Sequence, residues 1–175
     1  MNIPTMRSSA FSDSSRHRAY RWDNPAAVAT AAKLMSGLEL MEAMRAGRLP
    51  QPPAQRTLEI VPQSVGTGAV VFALEPQELH CDALGWVHGG VIVALLDTAM
   101  GCAVHTHLPA GTGYVSLQLS TEFLRPIAHD TAVVVCTGSA LPPGADTAEA
   151  VARVEDSAGR LMATAKSTFR LRARV

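Results

Sequence analysis

The segment from Gly85 to His105, GWVHGGVIVALLDTAMGCAVH, restricts the fold more than any other part of the chain. Nearly every residue after its two adjacent glycines is apolar or small, and a helix that is apolar all round must be covered on most of its faces. Asp97 is the only acid in the segment. A carboxylate in such a helix is costly unless it is paired, hydrogen-bonded or neutral. The segment therefore predicts a buried helix from about Gly89 to His105 that carries one specially stabilised or functional acid.

The size and composition of the chain set the frame for this helix. Its 175 residues suit one domain with a real core, and 47% hydrophobic with 17% charged residues is typical of a globular protein. The formal net charge is +0, which gives no global indication of a nucleic-acid or membrane-surface partner. Residues 1–22, rich in Ser and Arg and without an apolar signal region, are predicted to be a disordered tail. Residues 23–175 are predicted to form a single domain.

The cysteines and histidines predict neither a disulfide framework nor a metal site. Cys81, Cys102 and Cys136 are far apart in the sequence, and an odd number without a secretion signal favours free thiols in a reducing, cytoplasmic setting. His105 and His107 have no neighbouring Cys, Asp or Glu that would complete a ligand set. No glycine-rich nucleotide-binding motif is present. We therefore expect no metal and no cofactor.

Helical and strand patterns surround the central helix. Asn24-Pro25 and apolar residues at intervals of three and four predict an amphipathic helix that runs to about Arg45. Two strands, RTLEIVP and GAVVFAL, follow across the turn QSVGTG, and four strands come after the central helix: YVSLQLSTEFL, TAVVVCTGSAL, TAEAVARVED and RLMATAKSTFRLRA. Short turns between strands predict an antiparallel meander. The expected fold is α+β, a curved antiparallel sheet wrapped around one hydrophobic helix, with an extra N-terminal helix.

Three motifs give the chain a family resemblance: HCDALGWVHGG, LLDTAMG and GYVSLQLSTEFLRP. With these the chain resembles the hotdog fold, and more narrowly the phenylacetate-degradation type of acyl-CoA thioesterase, over about Gly37 to Arg172. The resemblance implies a site shared by two subunits, in a homodimer or homotetramer. In it, the backbone N–H of Gly89 binds the thioester carbonyl, and Asp97 of the other subunit acts as general base or nucleophile. It also implies that His88 shapes the entrance and that Ser116 contacts the attacking water or the acid.

The residues themselves are compatible with these roles. Thioester hydrolysis passes through a tetrahedral oxyanion, and the first turn of a helix offers N–H groups without intrahelical partners. Gly89 and Gly90 stand where that turn begins, and glycine lets a ligand approach the backbone closely. They also fit a tight strand-to-helix entry, with His88 as a capping residue. Asp97 has few local cations for a structural pair, because Arg56 is the only Lys or Arg between Leu49 and Leu124.

Two further residues belong to the predicted substrate-binding set. Many relatives have Asn in the loop before the His-Gly-Gly motif, where this chain has Asp82, which would add a second carboxylate near the site. Arg125 ends the FLRP strand, at a rim suited to the phosphates of CoA or to plain solvation.

The expected function is hydrolysis of aryl- or medium-chain acyl-CoA to the free acid and CoA, with CoA as part of the substrate and not a cofactor. Two alternatives stay open at this point. One is an acyl-thioester hydratase or dehydratase, in which His88 and Asp97 would meet across a subunit boundary. The other is a non-catalytic acyl-CoA-binding protein, since a fold by itself does not establish chemistry. No nucleic-acid or membrane partner is expected.

Overall fold

A computed structural model describes residues 16–173 of the chain. Its helices and strands are, in order, α1 (Ala26–Ala31), α2 (Gly37–Arg45), α3 (Pro53–Leu58), β1 (Val61–Gly66), β2 (Ala69–Leu74), a 3-10 turn (Glu78–His80), α4 (Gly89–His105), β3 (Thr112–Phe123), β4 (Val134–Ala140), β5 (Thr147–Glu155) and β6 (Leu161–Ala173).

The central helix α4 has the predicted bounds and lies against the sheet. Its core-facing residues are fully buried, among them Leu96, Ala99, Met100, Ala103 and Val104. The helix approaches β4 so closely that a Cβ on Gly138 would collide with the backbone carbonyl of Ala99. The predicted α+β architecture, one buried helix against an antiparallel sheet, is confirmed. No helix within residues 16–173 combines the length and apolarity needed to cross a bilayer.

The order of strands in the sheet differs from a simple meander. The six strands run β1-β2-β4-β5-β6-β3, and every neighbouring pair is antiparallel. The hairpin β1-β2 and the run β4-β5-β6 are sequential, as predicted. The meander is wrong for β3, which follows α4 along the chain but lies at the far edge beside β6. The reason is that α4 spans the sheet and delivers the chain to that edge, so that β4 must return to pair with β2.

The N-terminal helical region is two helices and not the one that was predicted. The helix is interrupted because Ser36 caps the start of a second helix with a capping box. The Ser36 hydroxyl accepts a hydrogen bond from the backbone N–H of Glu39, and the Glu39 carboxylate accepts one from the backbone N–H of Ser36. Gly37 then lies against the end of α4, where a Cβ would collide with the carbonyl of His105. Met41 and Met44 of α2 are buried in the core, as the apolar spacing indicated.

The strand predicted for RTLEIVP is also wrong in most of its length. Residues Pro53–Leu58 are helical, because a proline at the first helical position favours a helix start. Glu59 ends this helix in the left-handed region with φ 55°, and β1 begins at Val61. Glu59 remains close to the residues that follow β2, since its carboxylate accepts from the side-chain amide of Gln77 at 2.6 Å.

The predicted N-terminal tail lies only partly within the described residues. Residues 1–15 are outside them. Residues 16–22 form no helix or strand, yet Arg18 donates to the carbonyl of Thr57 at 2.8 Å and to Glu59 at 2.7 Å. This part of the tail therefore contacts the domain.

Candidate active site

Asp97 and Ser116 come together between α4 and β3. The Ser116 hydroxyl donates to Oδ1 of Asp97 at 2.9 Å. Asp97 is half-buried near the middle of α4, and Ser116 is exposed on the edge strand. The helix presents the carboxylate to the edge strand of the sheet, where it is only partly buried and has a hydrogen-bond donor, which explains how an acid is tolerated in an otherwise apolar helix. The pair leaves the second carboxylate oxygen, Oδ2, without a hydrogen bond from residues 16–173.

His88 caps the N-terminus of α4. Its Nδ1 accepts from the N–H of Gly90 at 3.0 Å, and its own N–H donates to the carbonyl of His80 at 2.8 Å. The capping bond assigns Nδ1 as the acceptor nitrogen of the ring. The His88 ring therefore satisfies one of the backbone N–H groups of the first turn that have no partner within the helix, and it fixes the backbone at the start of α4.

Gly89 retains a free N–H at this helix end. Within residues 16–173 no acceptor lies in hydrogen-bonding distance of it, while the N–H groups of Gly90 and Val91 are both engaged. The ring of Phe123 packs beside Gly89, and a Cβ there would lie 3.3 Å from Cζ. The site thus offers one unpaired backbone donor at the positive end of a helix dipole, next to an exposed aromatic ring.

The free N–H of Gly89 and the carboxylate of Asp97 are far apart within one chain. Gly89 and Asp97 are separated by eight residues of α4, which corresponds to about 12 Å along the helix axis. A single carbonyl group cannot contact both. Within one chain, the free N–H of Gly89 and the carboxylate of Asp97 are therefore too far apart to contact the same small group.

Asp82 is held by its own loop. Its Oδ1 accepts from the N–H groups of Leu84 at 2.8 Å and Trp86 at 3.1 Å, an arrangement that stabilises the turn before the His-Gly-Gly motif. It lines a surface cleft together with Arg16, Glu78 and His129. These contacts give Asp82 a structural task in shaping the loop; the substrate contact predicted for it is untested.

Arg125 follows β3 at the end of the strand. Its guanidinium donates to the carbonyl of Leu161 at 2.6 Å and is otherwise exposed. The contact fastens the arginine to the start of β6. Its place at the rim of a CoA site and its role in binding phosphate stay predictions.

Sequence reasoning missed two residues beside the site, Phe123 and His80. Phe123 sits within the FLRP motif, but nothing in the local pattern shows that its ring meets Gly89. His80 is 1% exposed, its carbonyl holds His88, and burial lowers the pKa of its imidazole. Nothing in the sequence around His80 indicates that its carbonyl accepts a hydrogen bond from the backbone N–H of His88.

The thiol nearest in sequence to the acid is inert. Burial, together with the charge of Asp97, raises the pKa of Cys102 to about 12, although a hydrogen bond from Tyr114 opposes the shift. A thiolate is the nucleophilic form of cysteine, so Cys102 is a packing residue. Within residues 16–173 no group of three or more His, Cys, Asp or Glu side chains is arranged to hold a metal ion.

Sequence comparison finds a similarity between the central part of the chain and one family. Residues 84–163, which contain the α4 N-terminus, Asp97 and Ser116, match the thioesterase superfamily. No curated protein matches the sequence. The matched segment thus contains Gly89, Asp97 and Ser116.

Solved structures show the same hotdog thioesterase fold. A phenylacetic acid degradation-related protein from Ralstonia eutropha JMP134 is 25% identical, with a TM-score of 0.67 over 74% of this chain and 98% of its own. Zebra fish thioesterase superfamily member 2 is 22% identical, with a TM-score of 0.65 over 76% of this chain and 96% of its own. A Streptococcus mutans UA159 protein bound to acetyl-CoA is 22% identical, with a TM-score of 0.60 over 66% of this chain and 90% of its own.

Proposed function

We propose that this protein hydrolyses acyl-CoA thioesters, with aryl- or medium-chain acyl-CoA as the substrate class. The observation that carries the proposal is the Asp97 carboxylate, held by the Ser116 hydroxyl at 2.9 Å, while its second oxygen has no hydrogen bond from residues 16–173. The similarity to thioesterases and the acetyl-CoA found on the Streptococcus mutans protein support the substrate class.

Asp97 supplies the base or the nucleophile. As a base, its carboxylate takes a proton from a water whose oxygen attacks the thioester carbon; as a nucleophile, its oxygen attacks directly and water then cleaves the anhydride. In either route the tetrahedral intermediate collapses with cleavage of the C–S bond, and the CoA thiolate leaves and takes up a proton. Oxygen-18 incorporated into Asp97 during a single turnover would distinguish direct attack.

Gly89 supplies the oxyanion donor. Negative charge develops on the thioester oxygen as the tetrahedral intermediate forms, and a preorganised N–H lowers the free energy of that state. The bond from Gly90 to His88 keeps the neighbouring donor occupied and the helix start rigid. Gly90 and His88 thereby shape the entrance, while Gly89 contacts the substrate.

The site requires two copies of the chain. The separation of about 12 Å between Gly89 and Asp97 excludes one carbonyl contacting both in a single subunit. The edge strand β3 exposes Val115 and Leu117, at 45% and 51%, and no strand within residues 16–173 pairs with its free edge. Edge strands with apolar side chains are unfavourable in water unless covered. We infer a homodimer or homotetramer in which Gly89 of one subunit faces Asp97 of the other.

CoA binding is assigned to the rim around this interface. Arg125 uses one contact to fasten itself to Leu161, and a guanidinium has further N–H donors for a phosphate. The exposed ring of Phe123 beside Gly89 offers an apolar surface for the thioester end of the substrate.

The test removes a single backbone N–H. Gly89→Pro deletes the donor at the first helical position, where proline is well tolerated, and His88 already has the extended ψ of 135° that a residue before proline needs. Gly89→Ala is the matched control, because it keeps the N–H while adding the same Cβ beside Phe123. Proline should lower kcat by about 10²–10³ relative to alanine.

The readout is thiol release across a panel of aryl, short, medium and long acyl-CoA substrates. Equal turnover by the proline and alanine variants would overturn the oxyanion role of Gly89. No hydrolysis of any panel member by the wild-type protein, at concentrations where acyl-CoA binds, would overturn the proposed activity.

A further inference from the structure

The face on which Ser116 lies is unexpected for its position in β3. Alternate residues of a regular strand point to one side of a sheet. Gln118, Ser120 and Glu122 pair with Thr168, Lys166 and Thr164 on the outer side, away from α4. In a regular strand Ser116, two residues before Gln118, would also point to the outer side. Its hydroxyl instead contacts Asp97 on α4.

A β-bulge at Leu117 accounts for this reversal. Ser116 pairs with Phe169 and Gln118 pairs with the next residue of β6, Thr168, so that Leu117 has no partner. Phe169 is 0% exposed and faces the core, which places Ser116 on the same inner side. A bulge inserts one residue into a strand and re-aims the side chains beyond it.

The bulge is held by a buried serine of β6. The Ser167 hydroxyl donates to the carbonyl of Gln118 at 2.7 Å, directly after the unpaired residue. Ser167 is 5% exposed, and a buried hydroxyl is costly unless it is hydrogen-bonded. Its neighbours on the inner side of β6, Ala165 and Phe169, are apolar, so its polar group serves this contact.

We propose that Ser167, by holding the bulge at Leu117, is a positioning residue that directs Ser116 onto Asp97. This inference rests on the proposed thioesterase function, in which the Ser116 contact orients the reacting carboxylate. Ser167 touches neither substrate nor acid, and it acts only through the backbone of β3.

The kinetic test is a double-mutant cycle with Ser116. Ser167→Ala should lower kcat about tenfold with little change in KM, as loss of one oriented hydrogen bond would. In a Ser116→Ala background the same substitution should have no further effect, because the group that it positions is gone. Ser120→Ala, on the outer face of the same strand, is the matched control and should leave kcat unchanged.

A general structural role for Ser167 would give a different pattern. It would lower activity equally in both backgrounds, and that result would overturn the proposal. Ser167→Cys, of similar size and with a weak S–H donor, replaces the alanine variant if that variant does not fold. It should give a smaller fall in kcat that likewise disappears in the Ser116→Ala background.

A crystal structure of the Ser167 variant separates this inference from the proposed function. Ser116 Oγ should move beyond hydrogen-bonding distance of Asp97, or the bulge should shift along β3. An unchanged bulge and an unchanged 2.9 Å contact would overturn the positioning role, whatever reaction the protein catalyses.

Discussion

The Ser116 hydroxyl on β3 donates to Oδ1 of Asp97 on α4 at 2.9 Å, joining the edge strand to the central helix. Asp97→Asn should keep this contact, because the amide oxygen also accepts a hydrogen bond, but it removes the base. We expect kcat to fall by about 10²–10⁴, the scale for losing a positioned base. Thiol release under saturating acyl-CoA measures the change.

The same variant distinguishes a catalytic acid from a structural one. Asp97→Asn should unfold at or above the wild-type temperature, because neutralising a half-buried carboxylate removes a desolvation cost. Asp130→Asn, a change to an exposed acid in a turn, serves as the matched control and should retain near-wild-type turnover. Near-wild-type activity of Asp97→Asn, or loss of its fold, would contradict a catalytic role.

Mixed subunits test whether the site is shared. A dimer of one Gly89→Pro chain and one Asp97→Asn chain has one site with both functional groups and one with neither. Equal mixing should restore about a quarter of wild-type activity, because half of the dimers are mixed and each has one of two sites intact. Co-expression with two affinity tags isolates the mixed dimer alone, which should have about half of the wild-type activity because one of its two sites is intact. Activity no higher than that of the parents would show that each site forms within one chain.

Asp156 should make stability depend on pH at the acid end. Its carboxylate accepts from the N–H groups of Ala158 and Arg160 and from the Arg160 guanidinium. These contacts, the Arg160 N–H above all, lower the pKa of Asp156 from its ordinary value of 3.8. A lowered folded pKa stabilises the fold above the unfolded pKa, and this stabilisation is lost as pH falls through the folded value.

Asp156→Asn should therefore be less stable than wild type near neutral pH, with the difference shrinking below about pH 4. Urea unfolding at several pH values measures it. Asp146→Asn is the matched control, since this acid is exposed and its carboxylate has no hydrogen bond within residues 16–173. A difference that stayed constant from pH 7 to pH 2 would rule out the charge as its cause.

The N-terminal segment should affect stability more than chemistry. Arg18 contacts Thr57 and Glu59 and lies 4.9 Å from the centre of the Tyr20 ring. Deleting residues 1–22 or changing Arg18→Ala should lower the free energy of unfolding by about 0.5–1 kcal/mol, the scale for a partly exposed ion pair. Turnover should stay within tenfold of wild type. A larger fall in kcat for a folded truncation would place this segment in the catalytic machinery.

The central helix and the groups on it could be predicted from the sequence because the residues that indicate them lie within one continuous segment. An all-apolar run requires burial, two glycines after His88 favour a helix start, and an acid in that run requires a stabilising contact. The last three strands were predicted for the same reason, since alternation in β5 and β6 reflects one buried face. The helical turn at Pro53 was missed because β-branched residues near it resembled a strand.

What the sequence determined by itself is therefore the central helix, its acid, the glycines at its start and the α+β class. The tertiary structure decided where β3 lies and which way its side chains point. Val115, Leu117 and Leu119 alternate in the sequence, which favours one shared face, yet Leu117 is the unpaired residue of a bulge. The bulge depends on the β6 backbone and on the hydroxyl of Ser167, 49 residues beyond Gln118. Pairing with a distant strand overrides local alternation, because register is fixed by the partner's hydrogen bonds and the buried face that both strands share.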